Sequence, residues 1–165
     1  MTPLYVHYQA TRGVEPYLLS LEAEVGANHF SCLVRPSVTV SVPEDMAGQD
    51  ITRFGLSPRM IIPWLAQMAK TTKTVILYDR DHFLQVMDCE IKRIGKRAWA
   101  RPGIEFVDLK SKLAPLCRLE SKEGVPRAPT LEEATTILAG HSMASLEGIK
   151  ALYQHEDIQQ LCEVA

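Results

Sequence analysis

Residues 16–22 (PYLLSLE) form a short apolar run bounded by proline and charge, the pattern of a buried strand. Gly26-Ala27-Asn28 marks a turn, and residues 29–35 (HFSCLVR) alternate as a second strand that Pro36 ends. Residues 37–42 (SVTVSV) are rich in Val and Thr and predict a third strand, so this part of the chain reads as an antiparallel meander. A polar loop over 43–53 follows. Ser57-Pro58 then sets a serine cap before a proline at the first helical position, predicting a helix to about Lys70 that buries Ile61, Leu65 and Met68. Residues 75–78 (VILY) are a fully apolar strand. From Asp81 to Ile94 the apolar residues Phe83, Val86, Met87, Ile91 and Ile94 recur at helical spacing, and Gly95 ends the run. Residues 104–109 (IEFVDL) predict a fifth strand. Thr130 with Glu133 reads as a capping box for a helix that Gly140 stops, and Ser142 starts a last helix through Met143, Leu146, Ile149 and Leu152. Three strands followed by strand–helix alternation imply a mixed α/β sheet with helices on its faces.

Composition changes this picture little. The chain has 165 residues, enough for one domain (1–165, core about 16–154), with 46% apolar and 23% charged residues. Its net charge of −2 advertises no nucleic acid, but the charge is uneven. Between Lys92 and Arg127 lie ten basic residues, opposed only by Glu105, Asp108, Glu120 and Glu123. Within that stretch Lys92, Arg93, Lys96 and Arg97 are the best candidates for contacts to nucleic-acid phosphates. Their position at a helix end equally suits the helix dipole. Cys32, Cys89, Cys117 and Cys162 show neither paired-cysteine nor zinc-ligand spacing and read as reduced thiols. No apolar run approaches a membrane span, and no signal-peptide pattern opens the chain, so the expected location is cytoplasmic, with no membrane partner. Asp108 interrupts an apolar strand and is expected to bond nearby backbone. Asp79, Arg80 and Asp81 read as a solvated loop, and Trp64 and Trp99 as packing residues.

Several local sequences fall in a suggestive order. Leu19-Ser20-Leu21-Glu22-Ala23 stands where an Asp-x-Glu strand would lie, and Leu33-Val34-Arg35-Pro36 follows a hairpin. Phe54-Gly55-Leu56-Ser57 precedes a helix, and Tyr78-Asp79-Arg80-Asp81-His82-Phe83 leaves a strand for another helix. Val107-Asp108-Leu109 and His141-Ser142-Met143-Ala144-Ser145-Leu146-Glu147 complete the series. This ordered set resembles the DnaQ-like (DEDDh) 3′–5′ exonucleases over about 16–154. The resemblance implies a ribonuclease-H-like five-stranded sheet, three strands antiparallel and then two parallel, flanked by helices.

It also implies hydrolysis of terminal phosphodiesters with two divalent metals and a histidine base. Carried over residue by residue, Glu22 keeps a ligand and His141 keeps the base, while Ser20, Phe83 and Leu146 replace three aspartates. Hard cations need several carboxylate oxygens. The resemblance therefore implies a degenerate exonuclease-fold protein that binds nucleic acid or protein with little or no hydrolysis. The alternative is a divergent metal-dependent 3′–5′ exonuclease acting on DNA or RNA ends. It would use Mg2+ or Mn2+, with ligands displaced to Glu24, Asp79, Asp81 or Glu147. Glu147 sits about 100° around the helix from the expected position. Single-stranded nucleic-acid ends or a protein partner are the expected binding partners; the oligomeric state is left open.

Overall fold

The structure is a computed structural model and describes residues 2–97, 99 and 102–163. Its five-stranded sheet comprises β1 (Leu4–Ala10), β2 (Leu18–Val25), β3 (Asn28–Leu33), β4 (Thr74–Leu77) and β5 (Glu105–Asp108), in the spatial order β3-β2-β1-β4-β5. β1, β2 and β3 pair antiparallel, whereas β1, β4 and β5 pair parallel. This is the mixed sheet expected for a ribonuclease-H-like fold.

The identity of the strands differs from the expectation in one consequential way. The first and central strand is Leu4–Ala10, upstream of the predicted meander, and residues 16–22 belong to the second. Among the described residues, 37–42 pair with no strand. The count of five held because one strand was missed and one was over-read. β1 carries strand-favouring Tyr and Val, but only Leu4 and Val6 are buried, so no apolar run marks it. Residues 37–42 have the right propensity, yet Pro36 and Pro43 bracket them. The next chain segment instead meets the end of β3, where Leu56 bridges Val34 and its backbone N–H donates to the Leu33 carbonyl at 2.8 Å.

The helices follow their sequence signals more closely. α1 (Ile51–Phe54) is a single turn, and α2 (Pro58–Thr72) starts at the predicted Ser57 cap. α3 (Arg80–Arg93) buries Phe83, Val86, Met87, Glu90 and Ile91. α4 (Leu109–Cys117) was not expected. It begins because Asp108 caps it, accepting from the Lys110 backbone N–H at 3.1 Å. A small hairpin, β6 (Leu119–Glu120) and β7 (Pro126–Arg127), leads to α5 (Leu131–Ala139). There Thr130 and Glu133 form the predicted box, with each side chain bonding the other's backbone. The last predicted helix is split. Residues 142–145 are not helical, α6 spans Leu146–Gln154 and α7 spans Glu156–Glu163.

Two layers of apolar side chains enclose the sheet. On one face Leu4, Val6, Leu21 and Ala23 pack with Phe83, Val86 and Met87 of α3 and Ile61 and Leu65 of α2. On the other, Ile76 and Val107 meet Leu113, Ala134, Ile149 and Leu152 of the C-terminal helices. Trp64 lies 4.5 Å from the Phe30 ring, and Trp99 meets Phe83 and Phe106 edge-on, so both tryptophans pack as expected. Among the described residues no helix is long and apolar enough to cross a membrane.

Candidate functional site

Alternation along β1 divides its side chains between two environments. Tyr5, His7 and Gln9 project to the face covered by α6 and stand opposite Glu24, Glu22 and Ser20 of β2. Polar pairs therefore form a row across the two central strands. His7 Nδ1 lies 3.5 Å from Glu22 Oε2, and the Ser20 hydroxyl donates to Gln9 Oε1 at 2.8 Å. Glu24 holds Lys150 of α6 at 2.8 Å. The Glu22 carboxylate also accepts the Leu146 backbone N–H at 3.1 Å, which places a negative charge at the start of α6, where the Ser145 side chain caps nothing.

Tyr8 faces the opposite way, against α3. Its hydroxyl lies 2.8 Å from His82 Nδ1, and the two rings stack with centroids 5.7 Å apart. Burial, with Asp79 and Asp108 nearby, pushes the Tyr8 phenol well above its usual range, and the same hydroxyl donates to the Asp79 carbonyl at 3.5 Å. Asp79 occupies a left-handed backbone conformation (φ 63°) and caps α3 by accepting from the His82 N–H at 3.3 Å. Lys110 Nζ stands 2.5 Å from its carboxylate. Burial pushes the Asp79 carboxyl up, but the Lys110 ammonium and the His82 N–H outweigh it, and the net shift is downward.

These groups meet around a cavity of about 350 Å3 whose walls include His7, Tyr8, Gln9, Asp45, Asp79 and His82. Asp45 enters by accepting from Gln9 Nε2 at 2.5 Å. Burial lowers the His7 pKa, Glu22 and Asp45 pull it back, and the net shift is downward, favouring neutral imidazole.

The sequence-predicted residues are distributed differently. Glu22 does lie beside the cleft, but on the second strand, and its oxygen is shared by His7 and α6. Because the first strand is Leu4–Ala10, Ser20 and Glu22 stand on the second strand, opposite Gln9 and His7 of the first. Phe83 is completely buried, and Leu146 is 2% exposed. His141 is exposed, with Nδ1 3.0 Å from the Ala139 carbonyl. Asp81 pairs with neighbouring Arg80 at 2.9 Å in solvent, and Glu147 lies 3.4 Å from Lys150. Asp79 is an ordered cap rather than a solvated loop residue.

Among the described residues, no group of three or more His, Cys, Asp or Glu side chains converges as cation ligands. The carboxylates at the cleft are each engaged apart from one another, Asp45 by Gln9, Asp79 by Lys110 and Glu22 by His7 and the Leu146 N–H, and so dispersed they do not fit a pair of hard divalent cations. Asp108 bonds backbone as expected, accepting the Asp79 N–H as well as that of Lys110, each at 3.1 Å.

The basic candidates separate too. Arg93 is spent inside the fold. Its guanidinium donates to the Pro16 and Glu15 carbonyls at 2.7 and 2.8 Å and to Glu90 at 2.9 Å, and lies 3.5 Å from the centre of the Tyr17 ring. Lys92, Lys96 and Arg97 are exposed. They stand at the far end of the 14-residue α3, a helix length of about 20 Å from the cleft.

His7, Tyr8, Gln9, His82 and Lys110 were missed as site residues. The only early signal was the strand-favouring Tyr-Val-His-Tyr run of residues 5–8. No family model matches the chain, and no curated protein matches it.

Proposed function

We propose that this protein is a degenerate DnaQ-like exonuclease-fold domain whose cleft serves binding rather than phosphodiester hydrolysis. One observation carries the reading. Taken onto the first strand, the positions that the resemblance would assign to two cations present His7 and Gln9, with Phe83 in the core and Leu146 at the start of α6. None of these four supplies a carboxylate oxygen, and a charge introduced at Phe83 would be buried without a partner. The neighbouring polar groups are mutually satisfied: His7 with Glu22, Gln9 with Ser20 and Asp45, Asp79 with Lys110. This network ties the cleft's walls to one another.

The test is incubation of 5′-labelled single-stranded DNA and RNA with the full chain in Mg2+ or Mn2+. The expected result is no shortening. Metal-dependent shortening that chelator abolishes and Glu22→Gln reduces at least tenfold would establish the working exonuclease instead.

A further inference from the structure

We propose that residues 37–42 are a docking strand for an extended cationic peptide, which lies beside them over the groove walled by Arg12, Glu15, Tyr17 and Glu44. The assignment rests on the binding reading above and names its partner. The first observation is an unused strand. SVTVSV has strong strand propensity, yet among the described residues none of its backbone groups has a hydrogen-bond partner. Val40 is half-buried and packs on the cluster of Leu19, Met46 and Ile51, while Val38 and Val42 remain 51% and 37% exposed. The segment is thus anchored at its middle and open along its length, a template for strand addition.

The second observation is the space beside it. A groove of about 910 Å3 runs along Val40, Ser41 and Val42 and shares Arg12, Pro43 and Asp45 with the cleft. The third is its charge. Glu15, Glu44 and Asp45 are exposed there and have no cationic partner among the described residues, and Arg12 is the only cation in the wall. Such a field repels a phosphate backbone and draws lysine and arginine. Tyr17, the aromatic ring of the groove, already carries the Arg93 guanidinium on one face, which leaves a poorer platform for stacking bases.

The experiment is fluorescence anisotropy with the full chain in chelator. The probes are a labelled peptide alternating Lys and Val, its Glu–Val counterpart, and a single-stranded oligonucleotide of similar length. The account expects saturable binding of the Lys–Val peptide, at least about tenfold tighter than either anionic probe and weakened by salt. Glu15→Lys with Glu44→Lys should weaken it at least about tenfold, with the thermal midpoint unchanged because both side chains are exposed. Adjacent strand residues point their N–H groups to opposite sides, so one of the single variants Ser41→Pro and Val42→Pro, both on the groove, should also lose affinity. No saturation with the Lys–Val peptide, or preference for either anionic probe, overturns the assignment. Oligonucleotide shortening in metal would refute the binding reading, whereas this titration in chelator bears on the peptide alone.

Discussion

The two ends of α3 do opposite jobs. At its start, Asp79 and His82 are partly exposed groups that wall the cleft, and the helix is held by a left-handed cap and by the ion pair of Asp79 with Lys110 of α4. At its end, Glu90 is 1% exposed, accepts the Leu18 N–H at 3.1 Å and grips Arg93, whose guanidinium fastens residues 15–17. The doublet that looks most like a phosphate grip is therefore half an anchor of the fold, and the segment that looks like loop is the wall of the site. A charged residue's role is decided by what surrounds it, and runs of charge in the sequence carry little of that information.

The largest effect should follow from breaking the anchor. Glu90→Ala strands the Leu18 N–H and the Arg93 guanidinium and should cost about 3–5 kcal/mol in urea unfolding. Arg93→Ala should cost about 2–3 kcal/mol for the same reason from the other side. A loss below about 1 kcal/mol in both would dissolve the contrast. At the cleft end, Asp79→Ala removes a cap and an ion pair and leaves alanine in the left-handed region, for about 2 kcal/mol. Asp79→Asn, which can cap and tolerates that backbone, should recover about half of it.

Acid should separate the ends further. The Asp79 carboxyl is held below its ordinary 3.8, so its contribution is present above that value and lost as pH falls through the lower folded one. Glu90 is pushed above 4.5 by burial. Its share of stability is therefore largest in acid and is lost as pH rises through the raised value. Comparing the pH dependence of unfolding for Asp79→Asn and Glu90→Gln should show slopes changed in opposite directions. His7, held below 6.5, adds stability above that value which fades as pH falls through its lower folded one, and His7→Gln should flatten that step. The smallest effect belongs to the exposed charges: Lys92→Ala with Lys96→Ala should move stability by less than about 0.5 kcal/mol.

How much of this was legible beforehand follows the same physics. The capping box of α5, the Ser57-Pro58 start of α2 and the apolar stripe of α3 are local signals, read within one turn, and they reappear at their positions. The mixed sheet was legible as an order of elements. β1 was not, because a central strand that spends one face on Tyr5, His7 and Gln9 has no apolar run to show. Missing it displaced the site by one strand. That is why Glu22 was found near the cleft, while the His7–Glu22 pair and the Tyr8–His82 contact, whose partners are far apart in sequence, were not.

The claim beneath all of this is that the cleft's donor set does not hold divalent cations. Titrating the isotope-labelled full chain with Mn2+ and following its backbone amide resonances tests it most directly. The account predicts no saturable broadening centred on Val6–Ala10 and the first turn of α6. Broadening of those amides that saturates at low Mn2+ and is reversed by Mg2+ would contradict it.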